Sequence, residues 1–123
     1  MKFCTSVTCM DGRIQLPVIK YLQKRFNVEY VDVISEAAIN LVLSKQEDTV
    51  LIDAILDRIR ISVDVHKSKS IAVVGHYDCA KNPAPEEKQY HNTIEAIKFL
   101  KNKYDQVEII GLWVDENWKV KEL

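Results

Sequence analysis

Apolar positions recur along this chain with two different spacings, and the alternation between them predicts its architecture. Ile71-Ala72-Val73-Val74 is an apolar run with no polar break, and it predicts a strand over Ser70–Val74 buried on both faces. Lys2–Cys9, Val28–Ile34 and Val107–Val114 read as strands too, and Trp118–Leu123 as a short last one. Between them, apolar residues three and four apart predict helices. Leu16, Ile19, Leu22 and Phe26 mark a helix over Leu16–Phe26, with Pro17 in its first turn. Ser35 is placed to cap a short helix over Glu36–Ser44. Asp48 or Thr49 opens a longer one that runs to about His66 on Leu51, Ile52, Ile55, Leu56 and Ile59. Tyr90, Ile94, Ile97, Leu100 and Tyr104 mark a helix over Glu86–Tyr104, with Glu86 and Glu87 at its positive end. Asn82 to Pro85 is a loop.

Alternation of this kind gives an α/β fold in three layers, a mainly parallel sheet with helices on both faces. The expected strand order is 2-1-3-4, with a short fifth strand at the edge. If strands one and three are neighbours, the crossovers leaving them go to opposite sides. A crevice then opens at their carboxyl ends, where open α/β sheets place ligands. A length of 123 residues predicts one domain spanning the whole chain. The helix after Asp48 carries more apolar surface than one contact needs, which fits either a central position or a subunit interface.

Composition narrows the function classes. Hydrophobic residues make up 47% and charged residues 28%, an ordinary globular balance. A net charge of −1 provides no field for nucleic acid or an anionic membrane, so neither is expected as a partner. Apolar runs fall well short of the ~20 residues that span a bilayer. The segment Met1-Lys2-Phe3-Cys4-Thr5 has no signal-peptide pattern, and a cytoplasmic location is expected. The three cysteines, Cys4, Cys9 and Cys79, are too few and odd in number for a disulfide framework. Neither Cys4 nor Cys9 has the downstream arginine of a phosphatase loop, and no glycine-rich phosphate motif is present.

Two motifs carry the candidate chemistry. His76 and Cys79 follow at once on Gly75 at the end of the buried run, and Cys9-Met10-Asp11-Gly12-Arg13 ends the first strand. The expected topology brings both to the crevice. Two thiolates and an imidazole suit zinc, and three protein ligands leave a fourth position open. Cys4, an odd number of residues before Cys9, is expected to face the other way as a buried hydrophobe. Asp11 either fills the fourth position with a carboxylate oxygen or pairs with Arg13 and leaves that position to water. Zinc with two thiolates is neutral, so it acidifies a water less than three neutral imidazoles would. A carboxylate that accepts a hydrogen bond orients such a water, and the result is a nucleophile near neutral pH. Tyr77 and Asp78 read as a solvent-facing turn.

The pair Cys9-x-Asp11-x-Arg13 and His76-x-x-Cys79 resembles the β-class carbonic anhydrases. The likeness extends to the strand Ile71–His76 and to Ile110-Gly111-Leu112-Trp113-Val114-Asp115. It implies zinc on Cys9, His76 and Cys79, with Asp11 and Arg13 as the catalytic dyad beside it. It further implies reversible hydration of carbon dioxide to bicarbonate, and a homodimer or higher assembly with the cleft at a subunit interface. The sequence departs from the family at several points. Eight residues precede Cys9 where the family has a helical arm, Ile34–Asn40 has neither Arg nor Gly where the family has an R-N-A-G-N-like stretch, and Ala80 replaces the usual glycine. Three other readings stay open at this level: a zinc hydrolase on another small substrate, a zinc-binding protein without hydratase turnover, and a metal-free Cys9–Cys79 redox pair.

Overall fold

The unbroken apolar run lies inside strand β3, Ser70–His76, every residue of which is buried from Ile71 onward. In this computed structural model, which describes residues 2–123, the elements before β3 are β1 (Phe3–Thr8), α1 (Gly12–Arg25), β2 (Tyr30–Ser35), α2 (Ile39–Lys45) and α3 (Thr49–Arg60). A π-helical turn, Ile61–Val65, ends α3. After β3 come α4 (Glu86–Lys101), β4 (Glu108–Val114) and β5 (Val120–Glu122). The sheet has five strands in the order β2-β1-β3-β4-β5. All pairs are parallel except the hairpin of β4 and β5. The expected α/β fold and strand order are therefore what the chain adopts. Among the described residues no helix is long and apolar enough to cross a membrane.

Alternation along the strands splits the core in two. Val7, Ile71, Val73 and Ile109 pack with Ile39, Leu43, Ile55, Ile59, Ile97 and Leu100 from α2, α3 and α4. Cys4, Ala72, Val74, Ile110, Leu112 and Val114 pack with Ile14, Val18 and Leu22 of α1. Each side chain on a strand thus meets the layer its parity dictates. The register Val7↔Val73 sets the end of β1 beside the end of β3.

Four element readings need correction. Helix α2 opens after Ala38, which is left-handed and gives no side-chain cap, and Ser35, expected to cap it, is the last residue of β2. Helix α1 starts at Gly12, not Leu16, because the Asp11 side chain caps it by accepting from the Arg13 backbone N–H at 2.9 Å. Its buried face is Ile14, Val18 and Leu22, and Leu16 is 65% exposed. The helix expected to reach His66 breaks into α3 and the π turn. That turn directs Ser62 inward, where its hydroxyl meets Thr5 Oγ1 at 2.6 Å and donates to Asp32 Oδ2 at 2.7 Å. In α4 the buried row includes Gln89, Asn92 and Thr93, while Ile94 is 42% exposed.

That polar row has a structural cause. Asn40 Nδ2 donates to Gln89 Oε1 and to Thr93 Oγ1, each at 3.1 Å. Gln89 Nε2 donates to the Asn82 carbonyl at 2.7 Å, and Asn82 Nδ2 to Asn92 Oδ1 at 2.9 Å. The network joins α2, α4 and the Asn82 loop over Gly75, the residue before His76. Buried amides bonded to one another lock these elements where apolar contacts would let them slide. A Cβ on Gly75 would lie 2.8 Å from Thr93 Oγ1, and Thr93 cannot yield without releasing its bonds to Asn40 and to the Gln89 carbonyl. Gly75→Ala is therefore expected to destabilise the protein by about 1–3 kcal/mol in urea unfolding.

Candidate metal centre

β1 ends at Thr8 and the chain passes through Cys9 straight to the cap of α1. β3 ends on His76, paired in register with Val114. The chain then turns through Tyr77 and Asp78, whose φ of 58° is left-handed, and arrives at Cys79. Asp is one of the few residues that accept that conformation cheaply, and the Tyr77 N–H is tied to the Val114 carbonyl at 2.9 Å. The result places one ligand atom each from Cys9, His76 and Cys79 within 4.8 Å of one another, all three residues buried.

The imidazole shows what the cluster suits. His76 Nδ1 lies 2.8 Å from the Tyr77 carbonyl, which can only accept, so the proton sits on Nδ1. Nε2 is then left facing the sulfurs, buried and with no hydrogen bond of good geometry, and Cys9 Sγ is the group it interacts with. A buried acceptor so placed beside two sulfurs is costly unless a cation fills the space. A ring N–H anchored on a carbonyl is also how proteins orient a ligating histidine. Cys9, His76 and Cys79 therefore fit a zinc ion by donor type, tautomer and spacing.

The three side chains also set one another's charge, and the proton shared between His76 and the Cys9 sulfur is what a metal ion would displace. A hydrogen bond from Cys79 holds the Cys9 thiol well below its usual pKa against the opposing effect of burial, with help from His76 and the Ala38 and Asp11 backbone N–H groups. The Ala38 N–H is 3.5 Å from Cys9 Sγ. Cys79, which gives that bond and lies beside the resulting charge, is pushed up. Burial lowers the His76 pKa, but the Cys9 sulfur, the Tyr77 carbonyl and Asp11 outweigh it, and the net shift is upward. Of the two thiols Cys9 is thus the one that gives up its proton more readily, and a metal bound here would displace the protons that remain. Cys4 is different: burial, then Asp32, raises it to about 12, so it stays a neutral core thiol. It lies in the same apolar cluster as Cys9, not across the sheet, because β1 ends before Cys9 and strand parity does not carry that far.

Asp11 and Arg13 do meet, although by the geometry of a helix start and not of an extended chain. Arg13 Nε donates to Asp11 Oδ1 at 3.0 Å and Nη2 to Oδ2 at 2.7 Å, a two-pronged pair. The Arg13 side chain first, opposed by burial and aided by its backbone N–H, brings Asp11 down to about 2. Gln15 Nε2 donates to the carbonyls of Cys9 and Asp11 at 2.9 and 2.7 Å and so fixes the loop between them. Sequence reasoning missed two members of the site. Asp78 accepts from Arg13 Nη1 at 3.1 Å, and the Trp118 ring centre lies 4.6 Å from the guanidinium carbon. A carboxylate between two ligand positions was a signal for Asp78; nothing local signals Trp118. Two cavities flank the cluster. One of about 230 Å³ is lined by Ala37, Ala38, Leu41, Val42 and Leu51 together with the charged Lys45, Glu47, Asp48 and Lys81, and meets the cluster only through Ala38, whose N–H faces Cys9 Sγ. The other, of about 480 Å³, is bordered by Cys79, Tyr77, Asp78, Trp113, Asp115 and Glu116.

A family model described as putative carbonic anhydrase matches residues 1–123. Solved structures share the fold at low identity. One of two tetrameric β-carbonic anhydrases from Sordaria macrospora superposes with a TM-score of 0.60 at 16% identity, over 99% of this chain and 80% of that one. The wild-type β-carbonic anhydrase CafD of Aspergillus fumigatus gives 0.64 at 13%, over 100% and 89%. A carbonic anhydrase from Glaciozyma antarctica gives 0.58 at 17%, over 96% and 80%. No curated protein matches the chain.

The Asp11 shift has a sign that can be tested. Its folded pKa lies below the 3.8 of the free carboxyl, so the ion pair adds stability that is fully present above about pH 4. That stability is lost as pH falls toward about 2. Wild type is expected to be more stable than Asp11→Asn at pH 6, and the gap is expected to close between about pH 4 and pH 2 when both are followed by circular dichroism in urea.

Proposed function

The chain belongs to the putative carbonic anhydrase family, and on that premise we propose that it is a zinc enzyme for the reversible hydration of carbon dioxide to bicarbonate and a proton. Cys9, His76 and Cys79 hold the metal in this reading, and the observation that carries it is the buried Nε2 of His76, which faces two sulfurs with no hydrogen bond of good geometry. Zinc bound there supplies the Lewis acidity that makes water a nucleophile near neutral pH. Asp11, ionised down to about pH 2, is the acceptor that orients the attacking water. Arg13 keeps that carboxylate in one place. The three cysteines are free thiols, and the reading requires Cys9 and Cys79 to stay reduced, as they would in a cytoplasmic protein.

We also propose a homo-oligomer. Met10 is 65% exposed and Tyr77 47% exposed, and each adjoins a ligand residue. Leu16, 65% exposed on α1, extends the same kind of surface. A second subunit over these side chains would shield the metal site from bulk water. The Sordaria macrospora neighbours are described as tetrameric.

Two measurements follow. Stopped-flow hydration by the zinc-loaded protein is expected to show turnover that His76→Ala abolishes and that Asp11→Ala lowers by about 10²-fold or more. Activity absent at every pH in fully loaded protein would leave a metal-binding homologue without this reaction. Sedimentation equilibrium is expected to return a multiple of 14.2 kDa, reduced by Met10→Glu with Tyr77→Glu; a monomer at all concentrations contradicts the assembly.

A further inference from the structure

Two residues with left-handed backbones, neither of them glycine, converge on one side chain. Asp78 has φ 58° and Trp118 has φ 59°, and both touch the guanidinium of Arg13. In Trp118 that conformation closes the β4–β5 hairpin, where a left-handed residue follows the turn, at a cost to a non-glycine residue of roughly 1 kcal/mol or more. Such outliers persist only where their surroundings enforce them, and they collect at functional sites.

The contacts divide Arg13 between three partners. Nε and Nη2 bond Asp11, Nη2 also donates to the Asp78 carbonyl at 3.1 Å, and Nη1 donates to Asp78 Oδ2 at 3.1 Å. A guanidinium has five N–H donors in a fixed plane, so one is left over. The Trp118 ring covers a flat face at 4.6 Å, a cation–π distance. The turn that presents Trp118 is braced on its own account. Asp115 Oδ1 accepts from the Asn117 and Lys119 backbone N–H groups at 2.8 and 3.0 Å, and the Trp118 N–H reaches the Asp115 carbonyl at 2.9 Å. Asp78 is anchored by its position between His76 and Cys79.

We propose that Asp78 and Trp118 are positioning residues that clamp Arg13 so that the Asp11 carboxylate stays paired with it and does not take the metal's fourth position. Both Asp11 oxygens accept from Arg13. For Asp11 to move onto a metal, the guanidinium must swing away, and the clamp opposes that on its free edge and on its face. An arginine held only by Asp11 would have water as an alternative partner, as exposed pairs do. With the clamp in place the fourth position remains open to water or an anion.

The inference rests on the metal reading, and its test separates the two. The protein is loaded with cobalt(II), and azide is titrated at pH 7 against the visible absorption of the metal. Asp78→Gly and Trp118→Gly remove each side chain and keep the left-handed backbone; because Trp118 also packs on the apolar cluster of α1 and the sheet, an unchanged circular dichroism spectrum is the check that each variant is folded. Wild type is expected to bind one cobalt per chain and to bind azide. The double variant is expected to bind cobalt equally and azide at least tenfold more weakly, since Asp11 then competes for the position. Adding Asp11→Ala to the double variant is expected to restore azide binding, and Asp78→Asn, which keeps an acceptor oxygen, to stay near wild type. Unchanged azide affinity in the cobalt-loaded double variant overturns the clamp and leaves the metal site standing. A wild type that takes up no cobalt overturns both.

Discussion

A ring nitrogen sealed from water with no hydrogen bond of good geometry is a standing cost of about 1–3 kcal/mol, and the fold around His76 is arranged to produce one. The Tyr77 carbonyl takes the ring proton on the far side. Burial keeps water away, and the sulfurs of Cys9 and Cys79 face the other nitrogen. Natural proteins seldom leave such a group unpaired, and those that do usually have an ion or a reaction to put there. In the zinc reading, metal ligation answers the cost. The parallel pairing of β1 with β3 serves it, because only neighbouring parallel strands end side by side.

The second constraint is that a buried, charge-rich site must not collapse on itself. Two acidic groups, Asp11 and Asp78, stand near two thiol positions within a short stretch of surface. One guanidinium, held by hydrogen bonds on its edges and by an indole on its face, balances both carboxylates. Behind the site, the buried amides of Asn40, Gln89 and Asn82 hold α2, α4 and the Asn82 loop over β3. Rigidity at Gly75 and at Arg13 therefore comes from different directions. The first fixes where His76 leaves the strand, and the second fixes where Asp11 and Arg13 stand beside the Cys9–His76–Cys79 cluster.

The strands and the convergence of Cys9, His76 and Cys79 were legible in the sequence because both are local signals. An unbroken apolar run marks β3, and C-x-D-x-R and H-x-x-C are short strings at strand ends. Alternation of the two apolar spacings then gave the strand order. The start of α1 was not legible from apolar spacing, since Asp11 serves at once as helix cap and as ion-pair partner, and only the second role was sought. The Gln89–Thr93 row was invisible because a count of apolar positions passes over buried amides that satisfy one another. Ser62 turns inward through a π-helical irregularity that no period encodes. Asp78 was read as a solvent-facing turn, and it is indeed exposed, yet its partner arrives from α1 and its role depends on that contact. Trp118 meets Arg13 only because β5 folds back on β4, which is tertiary information.

X-ray absorption at the zinc edge of the purified, zinc-replete protein tests the central claim most directly. The account predicts one zinc per chain with two sulfur neighbours at about 2.3 Å, completed by nitrogen or oxygen at about 2.0–2.1 Å. A zinc shell without sulfur, or a chain that retains no zinc, would contradict it.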